Sequence, residues 1–182
     1  MTRVIAGTAR GRRLQVPAGT TTRPTAERAR EGLFSSLLSL LDLDGVRVLD
    51  LYAGSGALGF EALSRGAGSA TLVESDPAAV AVLRANVEHL GLAGTHVLAQ
   101  PVEAFLAADP EPRYDLVLLD PPYELAVGPV LALLQPWLAS HAVVVVERSR
   151  RDPELAWPAG YEPVRSRRYG EATLWYATAL LA

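Results

Sequence analysis

The stretch VRVLDLYAGSGALG, residues 46–59, tells more about the fold of this chain than any other. Its first six residues form an apolar run typical of a buried strand, and its glycines then open a helix that we predict to run to about Arg65. Gly54 and Gly56 allow the backbone to approach a ligand closely, while the amino terminus of the helix offers unpaired N–H groups. The stretch therefore predicts a strand, a ligand-binding turn and a helix.

The charged residues beside this turn indicate which ligand it binds. The glycine pattern alone fits a dinucleotide fold equally well. However, Asp50 would repel a pyrophosphate, whereas it can accept hydrogen bonds from a cationic amino acid group, which favours S-adenosylmethionine over NAD. Glu74 ends the next predicted strand, where a ribose diol is held in either type of fold. We also assign Tyr52, Ser55 and Ser75, which flank these positions, to the cofactor site.

A second motif, Asp120-Pro121-Pro122-Tyr123, follows the apolar run Leu116–Leu119. The exocyclic amino group of a nucleobase is a poor nucleophile until hydrogen-bond acceptors draw its lone pair out of conjugation. The side chain of Asp120 and the carbonyl of Pro121 can be those acceptors, because two consecutive prolines restrict the backbone that carries them. Tyr123 can stack on the base. Taken alone, the motif also fits an ordinary turn after a strand.

The remaining pattern predicts an α/β fold. A helix from Thr25 to about Leu41 precedes alternating strands and helices, which imply a parallel sheet covered on both faces. We predict helices at 78–90, 102–107 and 127–138, and strands at 96–99, 116–119 and 142–147. Two closing strands at 161–169 and 172–179 would insert an antiparallel strand. Because ligands bind at the carboxyl ends of the strands in such sheets, both motifs lie at the ligand-binding edge.

Residues outside the cofactor site carry a narrower resemblance, which covers almost the whole chain. They are Arg3-Val4-Ile5-Ala6-Gly7, Arg10-Gly11-Arg12-Arg13-Leu14, Thr22-Arg23-Pro24-Thr25, Arg28 with Glu31, Leu33 and Phe34, and the run from Val48 to Arg65. With these residues the chain resembles the class I S-adenosylmethionine-dependent amino-methyltransferases, and more narrowly the bacterial small-subunit rRNA guanine-N2 methyltransferases called RsmD. The glycine turn and the Asp-Pro-Pro-Tyr motif are shared with many methyltransferases, so the amino-terminal segments are the diagnostic ones.

The resemblance implies a Rossmann-like class I methyltransferase fold: a seven-stranded, mostly parallel sheet with an antiparallel C-terminal strand, plus an N-terminal β-hairpin and helix. It also implies methyl transfer from S-adenosylmethionine to the N2 amino group of a guanine in 16S rRNA or the small ribosomal subunit.

In one respect the chain departs from the pattern. Many relatives have an acidic or asparagine residue after the third strand, whereas this chain has Gln100-Pro101-Val102. Gln100, or main-chain groups near Val102, would then contact the adenine ring.

Composition restricts the chemistry. The 182 residues, 49% hydrophobic, suffice for one domain with a full core. The absence of cysteine excludes disulfides, thiolate metal sites and a cysteine nucleophile. The three histidines lack the spacing of metal ligands, so we expect no metal site. Without a signal peptide or a long apolar segment, we expect a monomeric cytoplasmic protein that does not enter a membrane.

The positive charge is concentrated at the amino end. The net charge is -3, yet residues 1–30 contain seven arginines and a single acid. Arginine can bind phosphate through two hydrogen bonds and can stack on bases. We therefore interpret residues 1–24 as a basic hairpin that reaches beyond a catalytic domain of residues 25–182 and binds RNA through Arg10, Arg12, Arg13, Arg23 and Thr25. An edge hairpin whose charge merely prevents aggregation is the alternative.

Other functions remain compatible with the same motifs. A DNA adenine or protein glutamine methyltransferase would use the same amino-nitrogen chemistry, although glutamine enzymes usually have asparagine in place of Asp120. A non-catalytic RNA-binding assembly protein could retain the cofactor fold. A dinucleotide oxidoreductase is disfavoured by Asp50 and by the Asp-Pro-Pro-Tyr motif.

Overall fold

The computed structural model describes residues 1–20 and 24–180, which form an α/β fold around a seven-stranded sheet. The strands are β1 (Thr2–Arg3), β2 (Arg13–Leu14), β3 (Arg47–Leu51), β4 (Ser69–Glu74), β5 (Thr95–Ala99), β6 (Tyr114–Leu119), β7 (Leu138–Ser149), β8 (Tyr161–Tyr169) and β9 (Ala172–Ala179). The helices are α1 (Pro24–Leu37), α2 (Ala57–Ser64), α3 (Pro77–Leu90), α4 (Val102–Leu106) and α5 (Val127–Leu134).

The order of the large sheet is β5-β4-β3-β6-β7-β9-β8, and β1 pairs with β2 in a separate small sheet. The strands from β5 to β7 pair in parallel, whereas β9 is antiparallel to both of its neighbours, β7 and β8. This confirms the predicted mostly parallel sheet with an inserted antiparallel strand and an N-terminal hairpin.

Side chains alternate between the two faces of the sheet and fill two separate cores. Helices α1, α2 and α3 cover one face, where Val48, Leu118 and Val145 are buried. Helices α4 and α5 cover the other face, where the neighbouring residues of the same strands are buried. The near-continuous apolar strands follow from this arrangement, because a parallel sheet is covered on both sides.

The N-terminal hairpin packs against the core, while the predicted division into an RNA-binding arm of residues 1–24 and a catalytic domain of residues 25–182 stays a prediction. Val4, Ala9 and Leu14 are buried in the core of the α1–α3 face. The backbone N–H groups of Ile5 and Ala6 donate to the carboxylate of Glu61 on α2. The sequence pattern showed arginines and glycines but did not show that the small apolar residues between them face inward.

Two helix boundaries also differ from the prediction. Helix α1 begins at Pro24 rather than after a Thr25 cap, since the fixed φ of proline suits a first helical turn. It ends at Leu37 instead of Leu41, where the hydroxyl of Ser39 donates to the carbonyl of Ser36 and competes with the helical pattern. Leu38, the first residue after this end, is 64% exposed.

Helix α5 ends at Leu134, and residues 135–137 form a 3-10 turn. Pro136 explains the early end, because proline lacks the N–H that a helix requires. Strand β7 then starts at Leu138 and is longer than predicted.

Candidate active site

Three carboxyl groups converge at the carboxyl ends of the central strands. Asp50, Asp120 and Glu147 continue the alternation of β3, β6 and β7 on the face covered by α1. Leu119 is in register with Leu51 on β3 and with Val146 on β7. Asp120, the next residue, therefore lies opposite Tyr52 and Glu147. All three acids line one cavity.

This cavity has a volume of about 290 Å³. Its sheet side carries the acids, and α1 and the segments around the hairpin form the opposite wall. That wall is contributed by Thr2, Val16, Pro17, Thr20, Ala26, Ala29, Arg30 and Leu33. A second cavity of about 510 Å³ adjoins it and contains Tyr52, Glu74, Ser75, Asp76 and the whole Asp-Pro-Pro-Tyr motif. Asp120 and Tyr52 line both cavities.

Asp50 is buried with half of its carboxyl group unpartnered. It is 1% exposed, and its Oδ2 accepts a hydrogen bond from the backbone N–H of Gly59 at 3.0 Å, while its buried Oδ1 has no partner. Burial raises the pKa of Asp50 well above its usual range, and the nearby Asp120 and Glu74 add to the shift. An unpaired buried acceptor costs free energy. The unpartnered Oδ1 of Asp50 therefore fits a ligand that brings an N–H donor, as we predicted for this residue.

The glycine turn has a backbone that ordinary side chains rarely adopt. Gly56 has φ 84°, and a Cβ there would collide with the ring of Phe60. A Cβ on Gly54 would meet nothing within 4 Å, so this residue faces open space where a ligand fits. Tyr52 has φ 61°, an uncommon conformation for a bulky residue that concentrates at functional sites. Together with the unpartnered Asp50, these features match the requirements of a bound S-adenosylmethionine.

Glu74 holds the glycine turn in place. Its Oε2 accepts from the N–H of Gly54 at 2.8 Å, and its Oε1 accepts from the N–H groups of Ser75 and Asp76. The carboxylate thus fixes two loops at the second cavity. Carboxylate oxygens have further acceptor capacity, so the predicted contact of Glu74 with a ribose remains possible and stays a prediction.

Arg148 fixes the loop that follows Asp120. Its guanidinium donates to the carbonyls of Pro122, Tyr123 and Leu125 at 3.2, 2.8 and 3.1 Å. Among the described residues, no hydrogen bond reaches the carbonyl of Pro121 or the carboxylate of Asp120. The two acceptors predicted to hold an amino group are therefore both available.

The electrostatics of the motif also suit such a role. Asp120 has accessible surface in the cleft, yet the surrounding protein shields its carboxyl group from bulk water. This desolvation raises the pKa of Asp120 to about 6, against the opposing effect of Arg148. The ring of Tyr123 is 57% exposed, so one of its faces can receive a base.

The structure does not bring every predicted cofactor residue into these cavities. Neither Gln100 nor Val102 lines either of them. The side chain of Val102 is buried in the core of the α4–α5 face, so only its main chain could face a ligand. Nearby, the hydroxyl of Tyr52 donates to Glu103 at 3.3 Å. The adenine contact stays a prediction.

Sequence reasoning missed three residues of the site, Glu147, Arg148 and Arg30. Glu147 had a detectable signal, because it ends a predicted strand at the same edge as Asp50 and Asp120. Arg148 had none, since its importance depends on the loop that folds back onto it. Arg30 was hidden in the pattern of α1 and is buried in the cavity wall.

The three hairpin arginines differ in their hydrogen bonds. Arg10 and Arg13 are exposed, whereas the guanidinium of Arg12 donates to the carbonyls of His89 and Leu90 at the end of α3. Because the crossover helices run opposite to the strands, these helix ends lie at the edge away from the carboxyl groups. Arg23 and the side chain of Thr25 lie outside the described residues.

Two further expectations concern metals and membranes. The described part of the chain, residues 1–20 and 24–180, contains no group of three or more acidic or histidine side chains that could hold a metal ion. Within the same residues, none of the helices has the length and apolar character needed to cross a membrane.

Comparison with known proteins gives the family. The model of a family described as conserved hypothetical protein 95 matches residues 2–178. The chain belongs to this family. A curated relative, the ribosomal RNA small subunit methyltransferase D of Escherichia coli K12, is 37% identical over 172 residues, which cover 93% of this chain and 85% of the relative.

Solved structures agree with this family assignment. The putative methyltransferase yhhF from Escherichia coli has a TM-score of 0.87 and 34% identity, and the match covers 99% of this chain and 98% of that one. The putative methylase HI0767 from Haemophilus influenzae has a TM-score of 0.81 and 31% identity, with 99% of each chain covered. The fold and the family resemblance predicted from the sequence are thereby confirmed.

Proposed function

We propose that this protein transfers a methyl group from S-adenosylmethionine to the N2 amino group of a guanine in small-subunit rRNA. One observation carries the proposal: Asp50, Asp120 and Pro121, each with an acceptor to which no described residue donates, line two adjoining cavities at the strand ends. The name of the Escherichia coli relative supports rRNA as the substrate. The choice of guanine N2 rests on the family resemblance.

S-adenosylmethionine supplies, when bound, a methyl group activated by a positively charged sulfur. The Oδ1 of Asp50 accepts a hydrogen bond from the amino group of the cofactor, which brings the donor that this oxygen lacks. Gly54 leaves room for the cofactor, and Glu74 keeps the turn in shape through its bond to the Gly54 N–H. Ser55 and Ser75 belong to the same two loops.

The target amino group is held on the other side of the cleft. Asp120 and the Pro121 carbonyl accept its two N–H bonds, which directs the nitrogen lone pair toward the methyl group. Tyr123 stacks on the base, and such a contact contributes roughly 1 to 3 kcal/mol. The nitrogen–carbon bond forms as the carbon–sulfur bond breaks, and the proton lost by the nitrogen passes to Asp120. Alignment of the reactants can supply about 7 to 11 kcal/mol of the barrier, so the step needs no covalent intermediate.

The exposed Arg10 and Arg13 contribute to RNA binding through phosphate contacts. Arg23, which precedes α1, and Thr25, its second residue, also bind RNA in our proposal, because later residues of α1 line the cavity. The protein acts as a monomer in the cytoplasm, where rRNA is available. Light scattering on a sizing column tests the monomeric state, since a dimer would double the measured mass.

One experiment tests the proposal. Radiolabelled S-adenosylmethionine is incubated with the protein and with rRNA or small subunits from a strain that lacks the gene, and the labelled nucleoside is then identified. We expect N2-methylguanosine, and no label with the Asp120→Ala variant. A different labelled nucleoside would refute the base assignment. Absence of cofactor binding in calorimetry would favour a non-catalytic assembly protein instead.

A further inference from the structure

Glu147 occupies a position in the site that the mechanism above does not use. It follows Val146, the register partner of Leu119, just as Asp120 follows Leu119. The two side chains therefore stand side by side on neighbouring strands, which are about 4.8 Å apart. Glu147 lines the same cavity as Asp50 and Asp120.

The carboxyl group of Glu147 has no protein partner. Among the described residues, no hydrogen bond or ion pair reaches it. Arg148, its neighbour in sequence, directs its guanidinium to the loop carbonyls and to Asp152. Desolvation, together with the nearby Asp120, raises the pKa of Glu147 to about 8. Two adjacent acids without partners cost folding energy, and such perturbed pairs concentrate at functional sites.

The Watson–Crick edge of guanine complements this arrangement. Its 2-amino group and its ring N1–H are neighbouring donors. Adenine and cytosine instead place a ring nitrogen acceptor beside their amino group. A flipped base is read through this edge, so neighbouring carboxyl oxygens would accept both donors of guanine and would face the ring acceptor of the other bases.

We propose that Glu147 accepts the N1–H of the target guanine while Asp120 accepts from its 2-amino group. Glu147 thereby selects guanine over bases that present an acceptor at this position. The inference rests on the proposed function and adds to it a residue that determines specificity. The side-chain carboxyl of Glu147 keeps an oxygen that accepts the N1–H in either protonation state, but only the ionised form lacks a donor for a ring acceptor.

The decisive test replaces the target guanine with 2-aminopurine in an rRNA fragment, after nucleoside analysis has located the target. This base keeps the 2-amino group but has an unprotonated N1. With the wild-type protein, assayed about one unit above the pKa of Glu147 so that its carboxyl group is ionised and has no O–H donor, we expect kcat/KM to fall at least about tenfold, because the acceptors of Glu147 then face another acceptor. With Glu147→Gln the amide N–H₂ can donate to that N1. The preference, which is the ratio of kcat/KM for the guanine RNA to kcat/KM for the 2-aminopurine RNA, should therefore shrink to near unity or reverse.

Controls separate this inference from the proposed function. Glu162→Gln, an equivalent change on exposed β8, should retain the wild-type preference. If Glu147→Gln transfers no methyl group, the same ratio is measured from competitive binding of the two RNAs. An unchanged ratio in the variant overturns the role of Glu147 and leaves the proposed function intact. A wild-type protein that methylates no guanine refutes both.

Discussion

Two buried carboxylates on the same face of the sheet have opposite surroundings. Glu61 on α2 accepts from the N–H groups of Ile5 and Ala6 and forms ion pairs with Arg30 and Arg65. Asp50, at the end of β3, accepts a single hydrogen bond and leaves one oxygen unpartnered. The comparison separates an acid that stabilises the fold from an acid that we propose binds a ligand.

The same contrast extends to the regions around them. On the hairpin side, the buried charge of Arg30 is paired with Glu61, and the guanidinium of Arg12 donates to a carbonyl at the end of α3. The strand-end side holds Asp50, Asp120 and Glu147 without protein cations bound to them. Paired and unpaired acids should therefore respond differently to substitution.

The largest effect is expected at Glu61. Glu61→Ala leaves Arg30 with an uncompensated charge in a buried setting and frees two backbone donors. We expect the free energy of unfolding to fall by about 3 to 5 kcal/mol, measured by urea denaturation. Glu88→Ala, on the exposed side of α3, should change it by less than about 0.5 kcal/mol. Equal losses in the two variants would contradict the assignment of Glu61.

Substitution of Asp120, unlike that of Glu61, should lower turnover. Asp120→Ala removes an acceptor of the target amino group, and we expect turnover to fall at least about tenfold, with cofactor affinity unchanged. The exposed Asp109→Ala serves as the matched control. Methyl transfer at the wild-type rate in the Asp120 variant would eliminate the proposed mechanism.

Substitution of Asp50 should weaken cofactor binding and stabilise the fold at neutral pH. Asp50→Asn removes the negative charge that faces the cofactor, and we expect the Kd for S-adenosylmethionine to rise about tenfold in calorimetry. Folding raises the pKa of Asp50 above its ordinary value of 3.8, so its ionisation opposes folding at higher pH. The variant should therefore be more stable than the wild type at pH 7, and the difference should disappear near pH 4. A less stable variant at pH 7 would show that the charge supports the fold.

The hairpin arginines should produce the smallest effect. Removal of Arg10 and Arg13 together should weaken RNA binding and reduce its salt slope by about 1 to 2. Arg12→Ala should mainly lower the thermal stability, because its guanidinium binds the end of α3. Filter binding over a range of salt concentrations tests this division. Equal slopes for the wild type and the double variant would remove the hairpin from the RNA surface.

The sequence was sufficient for the elements of the fold whose periodicity is local. The closing strands at 161–169 and 172–179 match the structure at both ends, and so does the glycine turn between β3 and α2. Asp50 and Asp120 were predicted as site residues because Asp50 lies near the end of one apolar strand and Asp120 directly follows another; both line the cavity. The end of α1 was not predicted, because the hydroxyl groups of Ser36 and Ser39 form contacts that no periodicity reveals.

What escaped prediction depends on contacts between distant segments. The docking of the hairpin requires Glu61, which lies 55 residues away from Ala6 in the chain. The hydrogen bonds from Arg148 require the loop after Asp120 to fold back toward β7. Such pairings carry no signal in a single sequence, since neither partner is unusual in its own neighbourhood.

The position of β9 has a consequence for biosynthesis. This strand lies between β7 and β8, although its residues follow both in the chain. During translation, β7 presents an unpaired edge until residues 172–179 have emerged, and unpaired edges invite association with other chains. Because Leu174 of β9 also lines the cavity, the nascent chain completes this cavity only after β9 has emerged.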